Sequence, residues 1–324
     1  MATRPNSGPS SGPAAFLDAI PLRFTTLACA LCAFAFIGLS LRGQNLQWDE
    51  ASRWGYLPPD AIWEGKPWGL ISSVFVHLQF FHIAFNVYWL WILGNCLEQK
   101  IGSWRWLAFF LSAAWVSSAL QLLLSGETGI GMSGVGYALF GFGWVARSKM
   151  PEFGRILDNQ TVLIFVLWLV GCAIATQLKL VNIGNAAHLG GMVFGAGVAG
   201  LFVLKWKPVL LAPALLALCA LSIVPLFWCP TSPTWNALQA DKALERKDYN
   251  AAIKLYERSL EMGQDPKWAW TNLALIYQEQ HNASEYAHAV SELRQVDAKA
   301  AQQFEDDPTT VDFSQAEPTP KPKH

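Results

Sequence analysis

Seven stretches of this chain are apolar over a length that suits hydrocarbon better than water. Runs of roughly 17 to 25 apolar residues fall at about 24–42, 81–98, 104–124, 133–147, 160–180, 188–205 and 208–228. Within a bilayer such a run has to close its own backbone hydrogen bonds, which makes it a helix. The chain therefore reads as an all-α, polytopic membrane protein. Composition agrees: of 324 residues 52% are hydrophobic, 15% are charged and 16 are Trp, with a mean hydropathy of +0.25. The net charge of −1 and the lack of any long basic run argue against a nucleic-acid partner. The fourth run is short and rich in glycine, so it suits a helix surrounded by other helices rather than by lipid.

Between the first two runs lies a loop from Arg42 to Phe80 that contains Trp48, Trp54, Trp63 and Trp68. A structureless loop of that length is uncommon, and its aromatics predict a folded element at the membrane interface. Basic residues collect in alternate loops: Arg4 and Arg23, Lys100 and Arg105, then Arg147, Lys149 and Arg155, then Lys205 and Lys207. The positive-inside rule then predicts a cytoplasmic N-terminus, and an odd number of spans places the C-terminus outside. The first 15 residues are rich in Ser, Pro, Gly and Ala, and the run after them has no cleavage pattern, so it is expected to be a retained helix. Cys29, Cys32, Cys96, Cys172 and Cys219 lie in or beside apolar runs, with Cys229 just after the last, and they read as packing residues and not as a disulfide framework.

After Trp228 the composition becomes charged and helix-favouring. Asp248–Ile253, Tyr256, Leu260 and Pro266, followed by Trp270–Tyr277, resemble one and a half to two tetratricopeptide repeats. The expected organisation is a flexible segment over 1–20, a membrane domain over 21–207, a seventh span over 208–230, a helical-repeat domain over 232–302 and a disordered tail over 303–324. So few repeats bury little core, which predicts support from the membrane domain, dimerisation or a protein partner.

The chemistry is expected where polar residues interrupt apolar runs, because an uncompensated polar group in hydrocarbon is costly and usually faces a cavity or a partner. His82 and Asn86 lie four apart and share a helix face. Ser133 stands at the start of the fourth run, and His188 precedes Gly191 and Gly195 on one stripe of the sixth. All of these begin runs that start on the same side, so they share one depth. The spacing Gly191-x-x-x-Gly195 lets helices approach closely, and the glycines of the fourth run are suitable partners. Contact there would bring Ser133 to His188, whose imidazole can take the hydroxyl proton and later return it to a leaving amine. Tyr137 lies one turn below Ser133 and is placed to hold the ring. Glu98 and Glu127 are unsuited to a triad, so a Ser/His dyad is the economical reading, with His82, Asn86 and the Ser133 N–H as oxyanion donors. Two histidines without a further ligand are a poor zinc site, and no metal or cofactor is expected.

These motifs resemble the rhomboid intramembrane serine proteases: G-x-S-G from Gly131 to Gly134, H-x4-H-x3-N from His77 to Asn86, and A-H-x-x-G-x-x-x-G from Ala187 to Gly195. The resemblance covers about residues 24–205 and implies a six-helix core with a water-filled cavity. It also implies Ser133 as nucleophile, His188 as base, His82 and Asn86 around the oxyanion, and supporting roles for His77, Tyr137 and the motif glycines. The implied substrates are single-span membrane proteins, and the fifth helix would gate the site. Trp68 corresponds to the first residue of a Trp-Arg pair, but Gly69 follows it, a departure that bears on the loop's membrane contacts and not on the chemistry. With a seventh span and C-terminal repeats, the chain is similar to a six-plus-one bacterial variant. A catalytically silent client-binding protein and a scaffold acting through its repeats are the alternatives. The presence of both Ser133 and His188 favours the protease.

Overall fold

Helix 1, Phe24–Ser40 (α1), starts on a carboxylate borrowed from elsewhere in the chain. The backbone N–H groups of Phe24 and Thr25 donate to Glu98 at 3.0 and 2.9 Å, and the Thr25 hydroxyl adds a third bond of 2.7 Å. A helix leaves its first N–H groups without intrahelical acceptors, and Glu98 supplies them here. The computed structural model describes residues 23–41, 48–263 and 265–306. The expected flexible segment over 1–20 and most of the expected tail lie outside the described residues.

Two compact units are drawn from interleaved parts of the chain: Met1–Pro58, Lys66–Gln121 and Thr128–Ile223 in the first, and Pro59–Gly65, Leu122–Glu127 and Val224–His324 in the second. All regular elements among the described residues are helical.

In the first unit, the long loop folds into the short helices α2 (Trp48–Arg53) and α4 (Gly69–Ser72) and a 3-10 turn over Ser73–Phe75. Leu39, Ala51, Tyr56 and Val76 form a small core beneath them. The second apolar run is α5 (Phe80–Trp89), a π-helical turn over Leu90–Gly94, and α6 (Asn95–Ile101). α7 (Ser103–Ser125), α8 (Ser133–Ala146), α9 (Pro151–Ile156), α10 (Asn159–Gln177), α11 (Asn185–Phe202) and α12 (Pro208–Leu221) follow. Five helical stretches are long and apolar enough to cross a membrane: Phe80–Ile101, Ser103–Ser125, Asn159–Gln177, Asn185–Phe202 and Pro208–Leu226. α1 and α8 are shorter apolar helices. The protein is thus an all-helical polytopic membrane protein.

α8 is the buried centre of this unit, as its glycine content predicts, with Val135, Ala138, Leu139 and Phe140 all at or near zero exposure. It packs against α11 along facing glycines. A Cβ on Gly191 would fall on the Gly134 carbonyl, one on Gly195 on the Ala138 carbonyl, and one on Gly141 on the Met192 carbonyl. α10 and α12 contrast with it, because Leu163, Ile164, Leu167, Leu210 and Leu216 are left exposed, as lipid-facing side chains are.

The second unit contains α3 (Pro59–Trp63), the segment 122–127, and the helices α13 (Pro233–Glu245), α14 (Tyr249–Glu261), α15 (Pro266–Glu279), α16 (Ala283–Val296) and α17 (Ala298–Asp306). Ser232, Asp248, Asp265 and Asn282 cap α13 to α16 in turn, each side chain accepting from a first-turn N–H. Tyr256, Leu273, Ile276 and Leu293 build the core, and Tyr256 donates to Asp241 at 2.6 Å. α17 carries the helical part to Asp306, past the expected boundary at 302, with Phe304 buried and its carbonyl accepting from Tyr286 at 2.8 Å.

Candidate active site

Ser133 opens α8, so its N–H precedes the first intrahelical acceptor. The turn before it needs Gly131, whose backbone is left-handed (φ 93°) and whose missing Cβ leaves room for the His82 ring. Opposite, α11 begins at Asn185 and presents His188 from its first turn. The glycine seam between α8 and α11 brings these two ends together, and His188 Nε2 lies 2.8 Å from Ser133 Oγ. His188 is 4% exposed.

Tyr137, one turn into α8, stacks on the His188 ring with centroids 4.7 Å apart and planes 29° apart. Its hydroxyl donates to the Phe165 carbonyl of α10 at 3.2 Å. The far nitrogen of this ring, His188 Nδ1, is buried without a hydrogen-bond partner among the described residues. Among the described residues no acidic side chain bonds to it.

The α5 side of the site is built on His77, which is fully buried. Its Nε2 faces two donors, Asn86 Nδ2 at 3.0 Å and the Met132 N–H at 3.2 Å, while Nδ1 lies 3.1 Å from the Phe75 carbonyl. One tautomer satisfies all three, with Nδ1 protonated and donating and Nε2 accepting. His77 thus ties Asn86 to the residue preceding Ser133. Its ring meets that of His82 edge-on, with centroids 4.9 Å apart. Gly134 faces Ser117 of α7, where a Cβ would collide with the serine side chain.

Sequence reasoning did not single out Gln121. It is buried on α7, and its Oε1 accepts from the Ala187 N–H at 3.2 Å, one residue before His188. Gly184 lies beside the same oxygen, within 3.4 Å of where its Cβ would be. The aromatic contacts of α10 were also not foreseen. Phe165 meets Trp89, Tyr137 and Phe140, and Trp168 stacks on Phe85 with centroids 5.7 Å apart. Among the described residues no group of three or more His, Cys, Asp or Glu is arranged to hold a metal ion.

Fold and site together define a class: a helical membrane protein with a serine and a histidine in hydrogen-bond contact among its buried helices. Residues 64–205 match the family model described as Rhomboid domain. Over 166 residues, 51% of this chain and 58% of the relative, the sequence is 35% identical to Rhomboid protease GlpG of Serratia proteamaculans. The relatives of the same name from Salmonella paratyphi A and Salmonella newport are 29% identical over 175 residues, 54% of this chain and 61% of each relative. The chain therefore spans about three fifths of the length of these curated relatives. The stretch similar to the Rhomboid domain contains His77, His82, Asn86, Ser133 and His188. Helices α13 to α17 lie beyond it.

Proposed function

We propose that the chain is an intramembrane serine endopeptidase that cleaves single-span membrane proteins in or near the membrane. The observation that carries this reading is the 2.8 Å contact between Ser133 Oγ and His188 Nε2 at the abutting ends of two apolar helices. Ser133 Oγ attacks the scissile carbonyl carbon as His188 Nε2 takes its proton. The tetrahedral oxyanion accepts from the Ser133 N–H and from the His82 and Asn86 side chains. Asn86 Nδ2 has two hydrogens and uses one on His77, so one remains for the oxyanion. Collapse breaks the C–N bond, the amine leaves with the proton from His188, and water then hydrolyses the acyl-enzyme by the same proton path. A donor set of this kind is typically worth about 100- to 1000-fold in turnover per donor.

The loop charges support an inner-membrane protein with a cytoplasmic N-terminus, the site near the outer face and the C-terminal helices outside. α13 to α17 act as tetratricopeptide-like repeats that recruit a protein partner or a substrate.

Cleavage of a single-span reporter in membranes tests the reaction. Ser133→Ala and His188→Ala should each abolish it, and a fluorophosphonate should label the parent chain but not Ser133→Ala. Cleavage that survives either substitution would sink the dyad.

A further inference from the structure

The connection between α11 and α12 forms a pocket of about 670 Å³ lined by Lys205, Trp206, Lys207, Leu210, Leu211 and Ala214. We propose that this pocket is a discrete binding site for one anionic phospholipid, with its phosphate between Lys205 and Lys207 and an acyl chain along Leu210, Leu211 and Ala214. The inference does not depend on the protease reading, because none of these residues touches Ser133 or His188.

Charge is the first argument. From Asn159 to Ala240 the chain has no Asp or Glu, and its only Lys or Arg residues are Lys179, Lys205 and Lys207. Both pocket lysines are exposed, and neither has an acidic partner among the described residues. Two adjacent uncompensated cations at the junction of two apolar helices lie where a bilayer offers phosphates. Complementary charge has to come from outside the protein.

Shape and polarity narrow the anion to a lipid. Leu210 is 67% exposed and belongs to a helix with no buried residue, and Leu211 beside it packs on Gly200 but is only partly covered, so the wall beside the lysines is apolar and largely exposed. Trp206, half exposed, lines the same pocket as the lysines and the leucines, and an indole is favoured at the level of lipid headgroups. Its ring packs over Gly200, from which an added Cβ would lie 3.0 Å from Cε3, and the Trp206 backbone N–H donates to the Gly200 carbonyl at 2.9 Å. The aromatic is therefore fixed on α11. Lys205 and Lys207 both take left-handed backbone, with φ of 54° and 25°, where glycine would be easier. A free phosphate would use the lysines and leave the apolar wall unoccupied. A phospholipid matches both ends.

The test uses the full chain in detergent, titrated with phosphatidylglycerol or phosphatidylcholine of the same acyl composition and followed by native mass spectrometry. The parent chain should retain one phosphatidylglycerol in preference to phosphatidylcholine. Lys205→Gln/Lys207→Gln should weaken that retention roughly 30-fold, at about tenfold per 1.4 kcal/mol and about 1 kcal/mol per basic residue near an anionic surface. Lys205→Arg/Lys207→Arg should retain it, and millimolar inorganic phosphate should not displace the lipid. Equal retention by the glutamine variant, or no preference between the two lipids, overturns the proposal. Displacement by phosphate overturns the lipid assignment and leaves an anion site. Unchanged far-UV circular dichroism and melting of the glutamine variant exclude misfolding as the source of any loss.

Discussion

The hydrogen bond from the Ala187 N–H to Gln121 connects α7 to the first turn of α11, one residue from His188, the proposed base. Its loss leaves a partly buried donor without this acceptor, which costs up to about 1–3 kcal/mol. Gln121→Ala is therefore expected to lower the melting temperature. It should also slow fluorophosphonate labelling of Ser133 more than it weakens reporter binding, because the freed turn carries His188. Gln121→Glu keeps an acceptor at this position and should restore labelling toward the parent rate. If Gln121→Ala labels at the parent rate, Gln121 has no part in positioning the base. Tyr137→Phe makes a narrower test. The ring stays stacked on His188, but the bond to Phe165 is lost, a net change of about 0.5–1.5 kcal/mol. Labelling of Ser133 should persist while α10 loosens, seen as faster hydrogen exchange over 162–168; unchanged exchange would show that the hydroxyl does not hold the helix.

Among the elements, α10 is held to α5 mainly by rings: Trp168 stacks on Phe85, and Phe165 lies edge-on to Trp89 at 4.7 Å. Aromatic pairs of this kind contribute about 0.5–1.5 kcal/mol beyond their buried area. Phe85→Ala or Trp168→Ala should lower the melting temperature and raise reporter cleavage if α10 moves aside to admit substrate; reporter cleavage at or below the parent rate in both variants would count against a gate. The seam between α8 and α11 has no such freedom. Gly195→Val would drive a side chain into the Ala138 carbonyl, and loss of Ser133 labelling together with reduced expression is expected. Much of this was legible in the sequence. Ser133, His188, His82 and Asn86 stand out because polar groups in apolar runs are expensive, and the glycine spacing of α11 predicts its close contact with α8. Gln121 gave no such signal, since one Gln among leucines acquires meaning only once the start of α11 is brought beside it. The π turn at Leu90–Gly94 and the use of Glu98 to cap α1 were hidden for the same reason, each depending on partners distant in sequence. In the C-terminal helices, burial pushes the Asp241 carboxyl up to about 6, with Glu245 adding to the shift. A carboxyl raised on folding favours the folded state while it is protonated, and that contribution is lost as pH rises through about 6. Asp241→Asn should therefore melt with the parent chain at low pH and above it at neutral pH. A difference that does not change with pH would exclude the mechanism.

Across the whole molecule, chain order and structural units do not coincide. The second unit takes α3 from the first loop and residues 122–127 from the end of α7, although both are flanked by segments of the first unit. Trp63 of α3 meets Trp235 of α13 edge-on at 5.1 Å, and its indole N–H donates to the Pro225 carbonyl at 2.8 Å. The Thr231 hydroxyl donates to the Leu123 carbonyl at 2.7 Å, and Cys229 Sγ to that of Leu122 at 3.3 Å. The sequence places 232–302 apart because its composition changes there, and composition carries no information about which loops a domain packs on. Two consequences can be separated in one experiment. A chain ending at residue 231 keeps every side chain proposed for the dyad and the oxyanion, so fluorophosphonate labelling of Ser133 should persist. The same chain loses Trp235, and with it a ring contact worth about 0.5–1.5 kcal/mol, so hydrogen exchange over 59–65 should accelerate by up to about tenfold. Trp235→Ala in the full chain should reproduce that acceleration without touching the dyad. Unchanged exchange in both variants would mean that the Trp63–Trp235 contact does not hold α3, whereas loss of labelling in the truncated chain alone would make the C-terminal helices part of what keeps the membrane site folded.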